Sequence, residues 1–340
     1  TYAGTLDVNL KADAGEVRVF TGSGETSVTT RTGSTASIYA DRLSSDLNLD
    51  GVGAIDVFNA GSITIDGSND LSGPGFDGDT SPLTGELEVS TKSGANVDLI
   101  TGTNNTTLNS SGGNGTVDAT LLNDDLLLTL TGSSGVTVTE LQGNVQATSS
   151  SGVLDITTAA TVNDGEVTIT TGSNNATITG TTDGHTVNVN ADAMSTGDRL
   201  TVDGDADFVV TNAGTNVTVD ADGDGAGTAL AGTLEVTTDN AASGVTVLTG
   251  TEATTINTGV TAGGSVLVEA AELTNDTVLD LNGAARIRVD DLVGDVDATG
   301  MTAGSLRVNT ADNADDGDIT VDTGNTDVYL NTAGGDDTVN

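Results

Sequence analysis

The chain has no cysteine, no tryptophan, two prolines and a single histidine, His185, among its 340 residues. Without cysteine there can be no disulfides, no thiolate metal sites and no cysteine nucleophile. With one histidine, a Ser-His-Asp triad could use only His185, and no G-x-S-x-G elbow accompanies it. Aromatic residues make up 2% of the chain, so the rings that commonly line sugar clefts are scarce. We therefore predict that the chain is not an enzyme and has no catalytic residues.

Positive charge is also scarce. Nine lysines and arginines stand against 50 acidic residues, which gives a formal net charge of -41. Nucleic acids and anionic membranes both attract basic patches, so neither is expected as a partner. No apolar run is long enough to span a bilayer, and we expect no membrane insertion.

Hydrophobic residues make up 35% of the chain, and most are valine, leucine, isoleucine and alanine. This share is below that of an ordinary globular domain. High charge with low hydrophobicity is typical of disorder, but here the aliphatic residues recur at regular positions. The composition favours a thin core lined by aliphatic side chains.

An internal repeat organises these residues. Five segments share the pattern Thr-Gly, five residues, then an aliphatic residue, and their spacings are 80, 70, 78 and 74 residues. The glycines are Gly22, Gly102, Gly172, Gly250 and Gly324, and the aliphatic residues are Val28, Leu108, Ile178, Ile256 and Leu330. We expect these glycines to occupy equivalent turns, many with positive φ, and the aliphatic residues to face the core.

A second family of segments, such as LNLDGVGAIDV from Leu47 and LTVDGDADFVV from Leu200, keeps the same long period. Its glycines are spaced by 81, 72 and 79 residues, and they are Gly51, Gly132, Gly204 and Gly283. Two independent motifs in one register establish the repeat.

Each long repeat contains about seven short pieces in which apolar and polar residues alternate, the pattern of a half-buried strand. In the fourth copy they span 234–236, 245–247, 255–257, 266–268, 278–281, 287–289 and 296–298. We predict an all-β fold, a β-solenoid of the parallel β-helix type, with about four and a half repeats of 70–81 residues. The alternative is a row of small β-sandwiches, since seven strands also suit an immunoglobulin-like unit.

Both prolines, Pro74 and Pro82, fall in one irregular region, and proline cannot donate to a β-ladder. We therefore predict one repetitive segment over 1–340 with a loop insertion at 66–84. The chain starts and stops inside repeat motifs, so we expect uncapped ends that either continue in a longer array or associate with other copies. Cell-surface polysaccharide is a further possible partner.

Residues 332–340 (TAGGDDTVN) can be laid on the calcium-binding nonapeptide G-G-x-G-x-D-x-U-x, with Gly335, Asp337 and Val339 matching. The glycine-rich, threonine-rich, cysteine-free composition thus resembles the calcium-dependent exoproteins of bacteria, namely repeats-in-toxin adhesins and surface-layer proteins. The match occurs once, and Thr332 and Ala333 replace the leading glycines. The segment also aligns with AGGSVLV from Ala262 as an ordinary turn, and the composition also resembles filamentous haemagglutinin-type β-helices. The first resemblance implies calcium binding and an extracellular location.

Calcium takes oxygen ligands, and several turns carry clustered aspartates. Alternate aspartates in a strand would also share one face, where a cation would relieve their repulsion. We predict metal ligands among Asp220, Asp222 and Asp224, then Asp203, Asp205 and Asp207, then Asp312, Asp315, Asp316 and Asp318, and finally Asp336 and Asp337. Taken singly, each cluster favours a solvated turn over a metal site, and it is the clusters together with the net charge of -41 that predict divalent binding.

These observations predict an extracellular or cell-surface scaffold, structural or adhesive, that calcium stabilises. One alternative is a polysaccharide-acting β-helix enzyme that uses paired carboxylates such as Asp203 and Asp205. The other is a halophilic surface protein whose acidity serves general solvation.

Overall fold

A computed structural model describes residues 3–68, 81–162, 164–223, 228–240, 242–260, 263–311, 319–324, 326–332 and 338–340. These residues form β-strands and turns without any helix, so none of them forms a helix that could cross a membrane. The chain divides into two compact units, Thr1–Val167 and Thr168–Asn340.

The first unit is built from short strands. They are β1 (Leu6–Asn9), β2 (Gly15–Phe20), β3 (Thr26–Thr30), β4 (Ser34–Tyr39), β5 (Leu47–Gly51), β6 (Ala54–Ala60), β7 (Thr64–Asp66), β8 (Leu87–Thr91), β9 (Val97–Ile100), β10 (Thr106–Ser110), β11 (Asn114–Asp118), β12 (Leu127–Gly132), β13 (Gly135–Leu141), β14 (Asn144–Ser150) and β15 (Leu154–Thr158). The strand β16 (Glu166–Thr170) contains the boundary between the units.

The second unit is also built from short strands. Its strands are β17 (Ala176–Gly180), β18 (Thr186–Asn190), β19 (Arg199–Gly204), β20 (Asp207–Ala213), β21 (Thr218–Asp220), β22 (Leu234–Thr238), β23 (Ser243–Leu248), β24 (Thr254–Asn257), β25 (Ser265–Glu269), β26 (Val278–Asn282), β27 (Arg286–Leu292), β28 (Asp295–Asp297), β29 (Ser305–Thr310), β30 (Thr320–Asp322), β31 (Asp327–Asn331) and β32 (Thr338–Val339).

In each unit the strands alternate between two parallel sheets. Odd-numbered strands pair with odd, and even-numbered with even, so each strand pairs with the next but one along the chain. Parallel neighbours need a crossover between them, and here the crossover is a strand of the opposite sheet. Val8 pairs with Val28 and Val28 with Leu49, which makes one turn 20 or 21 residues long. The predicted all-β parallel β-solenoid is confirmed.

The predicted repeat count is wrong as a description of this solenoid. Its structural unit is a two-strand turn, and each compact unit contains seven or eight such turns. The Thr-Gly segments precede β3, β10, β17, β24 and β31, so one long repeat spans seven strands, as expected. Because seven is odd, the long repeat covers three and a half turns. The strands that follow successive Thr-Gly segments therefore alternate between the two sheets.

The core of each unit consists of stacked aliphatic side chains. Alternate residues of each strand point inward, as the period-two pattern predicts. Val28, Leu108, Ile178 and Ile256 are completely buried, which confirms four of the predicted core positions. Leu330 is half-buried instead, because β31 pairs with β29 on one side and with no other described strand.

The two glycine families serve different purposes. Gly102, Gly250 and Gly324 lack the positive φ that we predicted for their family; a Cβ there would lie 2.2–2.6 Å from a carbonyl oxygen of an adjacent turn. Positive φ belongs to the second family, in which Gly51, Gly132, Gly204 and Gly283 have φ between 98° and 105°. Glycine is therefore required in the first family because the backbone of an adjacent turn comes close. In the second family it is required for the positive φ as well.

Candidate functional site

Aspartate and asparagine residues recur where a strand ends and the chain turns toward the other sheet. Asp66, Asp118, Asn190, Asp220 and Asp297 each end a strand, and each accepts a hydrogen bond from the backbone N–H two residues later, at 2.8–3.3 Å. Short acidic and amide side chains stabilise turns in this way. Turn formation therefore accounts for the aspartates at these corners independently of any ligand.

Asp220, the first predicted metal ligand, lies at the end of β21 and is 1% exposed. The guanidinium of Arg199 donates to its Oδ2 through both Nε and Nη2, and Thr201 Oγ1 donates to the same oxygen at 3.3 Å. Its other oxygen, Oδ1, accepts from the backbone N–H of Asp222. An arginine thus neutralises this buried carboxylate. Metal binding at Asp220 and Asp222 stays a prediction.

The triple Asp203, Asp205 and Asp207 does not share one strand face. Asp203 lies on β19, Asp205 follows the strand in the turn, and Asp207 begins β20 in the other sheet. The turn at Gly204, with φ of 98°, separates them. Asp203 keeps one buried oxygen, Oδ1, without a hydrogen-bond partner.

Asp205 and Asp207 instead line an open groove together with Asp183 and Glu252. Thr233 donates to Asp207 Oδ1 from its backbone N–H at 2.8 Å and from Oγ1 at 2.7 Å. The Asp207 N–H donates to the carbonyl of His185, so the single histidine borders the same region. The structure thus gathers four carboxylates, two of which the sequence reasoning named.

The remaining predicted ligands lie outside the described residues. They are Asp224, Asp312, Asp315, Asp316, Asp318, Asp336 and Asp337. The same holds for residues 69–80 of the predicted loop insertion.

One acidic cluster was not predicted from the sequence. Asp124, Asp125 and Asp164 each offer a carboxylate oxygen within 4.8 Å of the others, on a largely exposed surface. Asp124 and Asp125 precede β12, whereas Asp164 precedes β16, two turns further on. They can meet because the intervening corner, between β13 and β14, is only two residues long. Only the lengths of neighbouring corners could have revealed this cluster.

Crowded carboxylates on the sheet faces have altered pKa values. Burial raises the pKa of Asp56, and the charges of Glu88 and Glu16 raise it further. Burial likewise raises the pKa of Asp280, with a contribution from Asp297. Hydrogen bonds from the hydroxyl and backbone N–H of Thr299 lower the pKa of Asp297 itself.

The raised pKa of Asp280 predicts a pH dependence of stability. A carboxyl whose pKa is higher in the folded state destabilises the fold when it ionises, so stability falls as the pH rises above 3.8 through the folded-state pKa. We expect Asp280→Asn to raise the free energy of unfolding at about pH 7 more than at about pH 4. Urea unfolding at the two pH values measures this. Glu272→Gln, at an exposed position nearby, controls for loss of one charge; an equal effect of both variants would contradict the prediction.

No family model, curated protein or solved structure matches the chain. Its function must therefore be inferred from its own geometry.

Proposed function

We propose that this chain is an extracellular scaffold, structural or adhesive, that is stabilised by calcium and assembles through the edges of its sheets. The observation that carries the proposal is a set of edge strands with exposed apolar side chains. In the first unit β1 pairs with β3 and β2 pairs with β4, and no other described strand lies beside them. In the second unit β31 and β32 are edges in the same sense.

Large exposed hydrophobic side chains concentrate on these edges. Of the six among the described residues, three lie on edge strands: Phe20 on β2, Tyr329 on β31 and Val339 on β32. Their exposed fractions are 71%, 66% and 52%. Unpaired edges attract further strands, and exposed apolar groups add a hydrophobic contribution to that pairing. The edges are therefore suited to receive further solenoid turns, from another copy or from a longer chain.

An aromatic stack leads to one of these edges. Phe20, Tyr39 and Phe58 occupy the same register position on β2, β4 and β6. The ring centroids of Phe20 and Tyr39 are 4.7 Å apart with planes 12° from parallel, and those of Tyr39 and Phe58 are 5.3 Å apart. Phe20 ends the stack on the edge strand, so a ring on an incoming turn could extend it.

Acidity supports the calcium part of the proposal. A net charge of -41 opposes compaction by self-repulsion, and a cation that binds the folded state relieves it by mass action. An extracellular setting would supply the calcium.

The assembly is tested by sedimentation velocity over a range of protein concentrations. We expect concentration-dependent association that Phe20→Lys and Tyr329→Lys each weaken by at least about tenfold, since a buried lysine at a strand edge opposes pairing. Val260→Lys is the matched control, because Val260 is 86% exposed but lies between β24 and β25, away from the edges. A monomer at all concentrations, or equal association of all three variants, would contradict the proposal.

The second candidate function is action on a polysaccharide, and the groove of Asp183, Asp205, Asp207 and Glu252 favours it. Paired carboxylates are the usual catalysts of glycoside hydrolysis. Turnover of an acidic polysaccharide that Asp205→Asn abolishes would establish this function in place of the scaffold.

A further inference from the structure

Two outward-facing polar residues of the first unit are buried. In a two-sheet solenoid, side chains that alternate with the core residues point away from it. On β5, Leu47 and Leu49 face the core, so Asn48 faces outward, yet it is 1% exposed. Asp66 stands opposite Asn48 on the adjacent strand β7 and is completely buried. Register partners on one face place their side chains next to each other.

These two side chains have unsatisfied polar atoms. Asp66 Oδ1 accepts hydrogen bonds from the backbone N–H of Ser68 at 2.8 Å and from its Oγ at 2.6 Å. Asp66 Oδ2, Asn48 Oδ1 and Asn48 Nδ2 are all buried and have no hydrogen-bond partner. A buried carboxylate oxygen without a partner is strongly unfavourable unless a hydrogen-bond donor or a cation meets it.

The second unit shows how the same position is neutralised. LNLDG from Leu47 corresponds to LTVDG from Leu200, so β5 and β7 correspond to β19 and β21. There Asp220 takes the place of Asp66 and is equally buried, and the guanidinium of Arg199 binds it. In the first unit Asp46 stands where the second has Arg199. The buried carboxylate is thus retained while its cationic partner is lost.

The other two copies of this position do not raise the same problem. In the second copy Thr129 stands opposite Gln146, so there is no carboxylate to neutralise. In the fourth copy Asp280 stands opposite Asp297, but neither side chain is fully buried, and Thr299 donates two hydrogen bonds to Asp297. Among the four copies, the buried and unneutralised carboxylate is specific to Asp66.

We propose that a divalent cation of the calcium type binds between Asn48 and Asp66, in the place that the Arg199 guanidinium takes at Asp220. Asp66 Oδ2 and Asn48 Oδ1 supply carboxylate and amide oxygens, which are ordinary calcium ligands. Asp50, two residues after Asn48 on the same strand face, is also buried, at 6% exposed. The choice of calcium over other hard cations rests on the proposed function.

Calcium titration by calorimetry tests the site on the full chain with Asp66→Asn, Asp46→Arg and Asp220→Asn. Asp66→Asn removes the charge at nearly constant shape, and we expect it to weaken calcium binding at the tightest site at least tenfold. Asp46→Arg places a guanidinium at the position of Arg199 and changes an exposed residue, so the chain should still fold. We expect it to raise the thermal midpoint without calcium and to weaken binding by a similar factor. Asp220→Asn, the matched control in the other unit, should lower the midpoint equally with and without calcium.

Calcium binding by Asp66→Asn and Asp46→Arg that equals the parent chain in affinity and stoichiometry would overturn the proposal. If calcium still stabilised both variants in that case, the scaffold proposal would hold, with calcium bound at another site. A parent chain that stays monomeric at all concentrations would instead refute the edge-assembled scaffold while leaving the cation site intact. The two failures are therefore distinguishable.

Discussion

Gly132→Ala is expected to lower the free energy of unfolding by roughly 4 kcal/mol or more, the range reached when backbone strain and a steric clash combine. Gly132 ends β12 with φ of 103°, a conformation that alanine rarely adopts. An added Cβ would also lie 1.8 Å from the carbonyl oxygen of Ser110, its register partner on β10. Since that atom belongs to the backbone of the adjacent turn, relief requires the turns to separate.

Gly112→Ala is the matched control in the same unit. Gly112 has φ of 70°, but the nearest heavy atom to an added Cβ is 3.9 Å away. Its substitution should cost about 1–2 kcal/mol, from the left-handed conformation alone. Urea unfolding compares the two, and equal losses would show that close stacking of turns at Gly132 is not the constraint that we infer.

Ile178→Ala is expected to lower the free energy of unfolding by about 2–5 kcal/mol. Ile178 is completely buried on β17 and stands in register with Val202 on β19, so truncation leaves a cavity between stacked turns. Val260→Ala, at a position 86% exposed in the same unit, should change it by less than about 0.5 kcal/mol. A loss below about 1 kcal/mol at Ile178 would contradict the stacked-core arrangement.

The strands could be predicted from the sequence because period-two alternation is local. All seven pieces expected in the fourth copy overlap the strands β22 to β28, one piece to each strand. The two-strand turn could not be predicted in the same way, because strands that stack on each other come from different parts of the long repeat. Val28 and Leu49, for example, stack in register but belong to different motif families. The seven-strand period is visible in the sequence, whereas the turn is set by pairing.

The candidate sites were harder still to predict from the sequence, because strand pairing decides which side chains meet. Asp203 and Asp207 are four residues apart but lie on opposite sheets, whereas Asp124 and Asp164 are distant in sequence and meet across one intervening corner. Asp66 faces away from the core and is nevertheless buried, and that burial has no signature in the sequence around it. Once the register is known, however, comparison with Asp220 shows that Asp66 lacks the arginine that binds Asp220.

On the proposal made above, this acidic solenoid depends on bound calcium for its stability. The most direct test is the thermal unfolding of the parent chain in calcium and then in excess chelator, at fixed ionic strength. A cation present at a hundredfold its dissociation constant should raise the midpoint by about 5 °C or more, and chelation should remove that increase. An unchanged midpoint, or equal stabilisation by sodium chloride alone, would show that the acidity serves general solvation and that calcium does not stabilise the fold.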